Sequence, residues 1–125
     1  MKRTSIILFF LVFALLFSSC GKTIPNSQEA KEKLQALGYS VKVSLYYGEE
    51  ANKLFHVDQI TLLDAELDRE QFIQVYFFTN EEDTLAFYRE HSGALTSGVE
   101  VVKKNKYSIY RGSQQAVSDF LSEVQ

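Results

Sequence analysis

The segment 59–78, QITLLDAELDREQFIQVYFF, decides the fold, because two runs with the period of a β-strand are joined by a short polar turn. Apolar and polar side chains alternate in 59–67 and again in 71–78, as they do in strands with one buried face. The residues between them, 68–70, are Asp, Arg and Glu, which suit a reversal of the chain. The segment therefore predicts an antiparallel β-hairpin.

The register of this hairpin follows from matching the apolar faces of its two strands. A three-residue loop places Leu63 opposite Val75 and Ala65 opposite Ile73, so that apolar side chains share one face. A two-residue loop would instead bring polar Gln74 to that face. We therefore predict the three-residue loop.

Further strands extend the hairpin on both sides. Residues 39–47 alternate as the clearest strand of the chain, and 49–57 predicts a loop with one helical turn. Residues 99–102 and 106–110 predict a last hairpin, with Asn105 in the left-handed position of a three-residue turn. The sheet is thus expected to have about five strands.

Helices are predicted where a capping residue precedes spaced apolar side chains. Such starts occur at Asn26, at Thr79 or Asn80, and at Ser113, and residues 93–98 are expected to form a connecting loop. The element order predicts an α+β fold, with a mostly antiparallel sheet of about five strands and about three helices packed on one of its faces.

Composition and charge exclude several classes of function. Without Lys2 and Arg3 the chain has 11 basic and 16 acidic residues, a net charge of −5, whereas a nucleic-acid-binding domain needs the opposite sign. One Cys excludes an internal disulfide, and one Cys with two His excludes the common zinc cages. We predict no nucleic-acid partner, no metal and no cofactor.

The chain begins with the parts of an export signal. Two basic residues precede an unbroken apolar run over 6–17, and Ser18 and Ser19 lead to the lone Cys20. As a helix, 6–17 would cover about 18 Å, less than the ~30 Å hydrocarbon core of a bilayer, so a permanent transmembrane helix is disfavoured.

This arrangement resembles the lipobox of bacterial lipoproteins, with Phe17 at the position where the family usually has Leu. The resemblance covers about the first 21 residues and implies that Cys20 is diacylated on its sulfur and becomes the first mature residue. It implies a signal peptide at 1–19 and a lipidated Cys followed by a short tether at 20–26. The resemblance implies nothing about residues 27–125, which the length and pattern of the sequence predict to be a single domain. The protein is then expected on the extracytoplasmic side of a bacterial membrane; a plain secreted protein and an uncleaved signal anchor are the alternatives.

Candidate catalytic residues are few. His56 and Asp58 lie two residues apart, and His91 follows Glu90 on the second predicted helix. A metal or acid/base site would form only if the fold brought residues 56 and 91 together, and no spacing in the sequence requires this. We predict no catalytic residue and no enzyme.

The clearest candidate for a binding surface is an aromatic face of the sheet, opposite the face that the helices cover. Five aromatic side chains are expected there: Tyr46, Phe72, Tyr76, Phe78 and Tyr110. Large exposed apolar patches are uncommon on soluble monomers, so the face predicts either a binding or homodimer surface, or a second core layer covered by 49–57 or by a terminal helix.

These observations favour a membrane-anchored, non-enzymatic accessory module that binds a protein or peptide of the cell envelope, or a second copy of itself. The alternative is a small-ligand-binding or catalytic lipoprotein with a pocket near His56, Asp58 and His91. An envelope structural or inhibitor protein is a third class, which the sequence does not separate from the first. An open aromatic face favours the first function, and a pocket where both histidines share carboxylates favours the second.

Overall fold

The computed structural model describes residues 24–122, which form a five-stranded sheet with four helices. In chain order the elements are α1 (Ser27–Ala36), β1 (Ser40–Tyr47), α2 (Gly48–Phe55), β2 (Gln59–Glu66), β3 (Phe72–Phe78), α3 (Glu81–Thr96), β4 (Val101–Lys104), β5 (Ser108–Gly112) and α4 (Gln114–Leu121). The predicted α+β class and antiparallel sheet are confirmed. The additional helix, α2, lies where a loop with one helical turn is predicted.

The strands have the order β1-β2-β3-β5-β4, and all neighbours are antiparallel. In the hairpin of β2 and β3, Leu63 lies opposite Val75, and Leu67 donates its N–H to the C=O of Gln71 at 2.8 Å. The Asp68 carboxylate accepts two backbone N–H groups of the turn, each at 2.8 Å. The predicted three-residue loop is confirmed, because these bonds close it.

The turn of the second hairpin differs from the prediction in position and in length: three residues, 103–105, are predicted, and two residues, 106–107, are observed. Asn105 donates its N–H to the C=O of Ser108 at 2.7 Å, so two residues separate them, and Asn105 does not have a positive φ. A change of one residue in the loop turns every side chain of β5 to the other face. Ile109 therefore lies on the face predicted for Tyr110, and the prediction that Tyr110 belongs to the aromatic face is wrong.

Local capping determines where the helices begin. The Asn26 side chain accepts the N–H of Glu29 at 2.8 Å, and the Glu29 carboxylate accepts the N–H of Asn26 at 3.1 Å, which completes a capping box. Asn80 caps α3 by accepting the N–H of Asp83 at 2.7 Å, and Ser113 caps α4. The predicted helix starts are confirmed, because each depends on residues within one turn.

The end of α3 differs from the prediction of a loop at 93–98. The helix continues to Thr96, whose hydroxyl donates to the C=O of Ser92 at 3.0 Å. Leu95 is buried against the sheet. Burial of this side chain favours another helical turn over the loop that the small residues indicate.

The helices divide between the two faces of the sheet, which corrects the prediction that they pack on one. On the first face, Leu34 of α1 and Phe120 of α4 are buried; on the second face, Phe87 of α3 is buried against Ile109. The reason is that β3 carries apolar side chains on both faces, so helices on one face alone would leave the apolar side chains of the other face in water. Ile73, Val75 and Phe77 point to the first face, and Phe72, Tyr76 and Phe78 to the second.

Candidate interaction surface

Four of the five aromatic residues predicted to form a binding face do share the second face, namely Tyr46, Phe72, Tyr76 and Phe78. The fifth, Tyr110, lies in the first-face core with its ring centroid 5.3 Å from that of Phe120. Tyr110 and Phe78 are each only 6% exposed. These two side chains therefore stabilise the core and are not available to a partner.

Helices cover the second face at the end of the sheet where β1 stops at Tyr47, which we call the Tyr47 end. The Phe87 ring of α3 lies 5.3 Å from that of Phe78 and 5.4 Å from that of Tyr76. Tyr46 packs on Phe55 of α2, with ring centroids 5.1 Å apart. The expected second core layer is therefore present in this half of the face.

The opposite, Ser40 end of the second face retains exposed and partly exposed side chains on β1, β2 and β3. We call this region the open quarter. The register places the region in three cross-strand rows: Ser40, Glu66 and Phe72; Lys42, Asp64 and Gln74; and Ser44, Leu62 and Tyr76. A shallow depression of about 80 Å³ lies between the second and third rows. The open quarter thus combines apolar and aromatic surface with both signs of charge, as protein interfaces do.

Arg111 of β5 forms the border of the open quarter beside Gln74 of β3. Its guanidinium donates to the C=O of Leu95 and of Ser97, each at 2.6 Å, and also to the side-chain oxygen of Gln74. The carbonyls at the end of a helix have no partner within the helix, so Arg111 fixes α3 to the sheet by satisfying two of them. Burial raises the pKa of Tyr76, which the Arg111 charge partly opposes, so the phenol is neutral at the border of the surface.

The outer edge of β1 adjoins the open quarter and pairs with no other described strand. In an antiparallel pair, residues whose N–H and C=O groups point to the neighbouring strand alternate with residues whose groups point away from it. Gly48 donates its N–H to the C=O of Asp58, so every second residue of β1 counted back from Gly48 points its backbone groups to β2. The backbone groups of Ser44 consequently point to β2, whereas those of Val41 and Val43 point away from the sheet. The outward N–H and C=O groups of alternate residues along the eight-residue edge are a template for another strand.

The fold also brings His56 and His91 to the same carboxylate, which the sequence did not require. His56 Nδ1 lies 3.2 Å from Oε2 of Glu90, and His91 Nε2 lies 3.8 Å from its Oε1. The side chains of His56, Glu90 and His91 are 66%, 45% and 40% exposed. Asp58 does not join them; its N–H donates to the Asp83 carboxylate. The cluster therefore lies open to water and lacks the exclusion of solvent that strengthens catalytic electrostatics.

Among residues 24–122, no group of His, Cys, Asp and Glu side chains has an arrangement that could hold a metal ion. No helix in the same range is long and apolar enough to cross a membrane. Residues 1–19 and Cys20, the predicted signal peptide and lipidation site, lie outside the described residues. Comparisons with models of protein families, with characterised proteins and with solved structures find no match for this chain.

Proposed function

We propose that the protein is a lipid-anchored, non-enzymatic interaction module of the bacterial cell envelope, and that it binds a polypeptide as a further strand on β1. The observation that carries this proposal is the unpaired edge of β1 beside the open quarter. Main-chain hydrogen bonds to such an edge supply affinity, and neighbouring side chains supply specificity.

The register indicates what a bound strand would contact. A partner strand would lie about 4.8 Å from β1, and its alternate side chains would point to the second face beside Lys42 and Ser44. Behind these, Leu62 and Tyr76 offer apolar contact and Asp64 offers a negative charge. The partner is therefore expected to be an extended segment of an envelope protein, or β1 of a second copy.

The anchor is proposed from the lipobox-like sequence that ends at Cys20. Two acyl chains give stable attachment where a single chain does not, which would hold the domain at a membrane surface. The mass of the intact mature protein tests this step. We expect a mature chain that starts at Cys20 and carries acyl groups; a different first residue, or an unmodified Cys20, would contradict the anchor.

Strand addition is tested by photo-crosslinking in intact cells with the full-length protein. A photoreactive residue at Lys42 of β1 is compared with one at Lys104 of β4, because both are exposed and lie at opposite edges of the sheet. We expect a discrete adduct from position 42 and none from position 104. Adducts from both positions, or from neither, would contradict binding at β1.

A pair of substitutions at Val43 then separates the backbone from the side chain. Val43→Pro removes an outward N–H that no bond of the described sheet uses, and Val43→Ala shortens the side chain but keeps this donor. We expect the adduct at position 42 to be lost in the Pro variant and retained in the Ala variant, while both remain folded. Retention in both would mean that the edge is not the binding site.

A further inference from the structure

The Tyr47 end of the first face carries large apolar side chains that reach solvent. Leu45 and Tyr47 on β1 are 52% and 65% exposed, and Tyr107 in the loop between β4 and β5 is 49% exposed. Phe77 lies between them on β3 and is partly exposed. Leu45, Thr61 and Phe77 are consecutive partners across the sheet, so these side chains belong to one surface.

The chain enters the described structure at this same surface. Ile24 lines an open groove of about 300 Å³ together with Phe77 and Tyr107. The backbone from Cys20 to Ile24 spans at most about 14 Å even when it is fully extended. If Cys20 carries the lipid, the acyl chains are therefore attached at a residue whose backbone lies within this distance of Ile24 and its groove.

The chemistry of the surface also fits the boundary between lipid and water. Tyrosine is enriched at that boundary because its ring is apolar and its hydroxyl is polar, and leucine partitions into the acyl region. Lys103 is on the first-face side of β4, and Lys106 lies beside Tyr107 with its Nζ 5.7 Å from the centre of that ring. Lysines near a surface of anionic lipids are attracted to it.

Most acidic residues of this end are on the other side of the sheet, whereas Glu29, in the first turn of α1, is on the first face, where its carboxylate accepts the N–H of Asn26. Glu49 and Glu50 begin α2, and Glu81, Glu82 and Asp83 begin α3. Both helices pack on the second face. A contact through the first-face side therefore brings the lysines and apolar side chains to the lipid and keeps the five acidic residues that begin α2 and α3 away from it, with the Glu29 carboxylate held in the capping box of α1.

We propose that the domain rests on an anionic lipid bilayer through a membrane patch formed by Ile24, Leu45, Tyr47, Phe77 and Tyr107, with Lys103 and Lys106 at its border. This inference rests on the proposed anchor at Cys20 and adds an orientation to it. The orientation turns the open quarter, at the Ser40 end, away from the bilayer. A partner could then reach β1 without displacing the lipid contact.

The test measures lysine labelling on the mature full-length lipoprotein added to preformed vesicles of phosphatidylcholine and phosphatidylglycerol. A membrane-impermeant amine reagent is applied, and modification of each lysine is followed by mass spectrometry. Lys106, at the patch, is compared with Lys42, which is exposed at the far end of β1. We expect Lys106 to react several-fold more slowly than in the protein without vesicles, and Lys42 to react at an unchanged rate.

A double variant, Leu45→Ser with Tyr47→Ser, provides the matched control. Both side chains are largely exposed, so the variant should fold, and circular dichroism checks this. It should still float with the vesicles through its lipid, but with Lys106 again fully reactive. Failure of both proteins to float would contradict the anchor itself. Flotation without protection of Lys106, or protection of Lys42 instead, would overturn the membrane patch and leave the anchor in place.

Discussion

At the scale of single residues, Gly112 shows how closely the strands and their connections approach one another. A Cβ atom added there would lie 2.2 Å from the C=O oxygen of Phe72 and 2.8 Å from the Cα of Ile73, and both of these are backbone atoms. The Phe72 oxygen also accepts the N–H of Ser113 at 2.9 Å, so it cannot move without losing that bond. The position therefore accepts only glycine.

We predict that Gly112→Ala lowers the free energy of unfolding by about 3 kcal/mol, because the clash is with backbone rather than with a flexible side chain. Gly93→Ala is the control. Gly93 lies inside α3 with no atom near the added Cβ, so this change should raise the stability by about 0.5–1 kcal/mol. Urea unfolding of both variants measures this, and a loss of stability in the control would refute the interpretation.

The buried phenol of Tyr39 links stability to pH. Its hydroxyl donates to the Asp119 carboxylate at 2.8 Å. Burial, and then this hydrogen bond and the nearby charge, raise the pKa of Tyr39 well above its usual value. In the unfolded chain a tyrosine ionises at about pH 10, whereas in the fold Tyr39 keeps its proton to a higher pH. Its contribution is therefore fully present below that pH and decreases as the pH rises above it.

We predict that stability decreases as the pH rises above about 10, and that the decrease is smaller in Tyr39→Phe. Part of it should persist, because burial also raises the pKa values of Tyr76 and Tyr110. Urea titrations of both proteins at several pH values measure the difference. An identical decrease in the two proteins would show that Tyr39 does not hold its proton more tightly when folded.

At the scale of elements, the contact between α3 and the sheet depends on Arg111 as well as on apolar packing. Arg111→Met keeps much of the volume but leaves the C=O groups of Leu95 and Ser97 without this donor. We predict a loss of about 1–3 kcal/mol, together with faster amide exchange in the last turn of α3. Arg89→Met, at an exposed position of the same helix, should change stability by less than about 0.5 kcal/mol. Equal effects would show that the hydrogen bonds of Arg111 are not responsible.

At the scale of the whole molecule, the sheet has a core layer on each face, and we expect the stability of the fold to depend on both layers. Phe120 and Phe87 are the large buried aromatic residues that α4 and α3 place on the first and second faces. We predict that replacing either with Ala costs about 3–5 kcal/mol, which is a large part of the stability of a small domain. Tyr47→Ala, at an exposed site, should cost much less. Chemical denaturation compares the three, and a mild effect of Phe87→Ala would mean that α3 is not essential to the core.

A prediction from the sequence is correct where the interacting residues are close together in the chain, and wrong where they are far apart. The loop after β2 and the cap of α1 were predicted correctly, because Asp68 and Asn26 interact with residues three positions away or fewer. The face of Tyr110 was predicted wrongly, because either of two turn lengths fits the local residues near Asn105. Pairing of β5 with both β3 and β4 in the folded sheet selects between them.

The sequence by itself determined the α+β class, the starts of the helices and the central hairpin, since periodicity and capping are local properties of the chain. Only the tertiary structure decided that helices cover both faces, that β1 is an edge, that Ile24 meets Phe77 and Tyr107, and that Glu90 lies between two histidines. Each of these depends on residues far apart in the chain that approach one another only when the whole sheet closes its apolar surfaces from water.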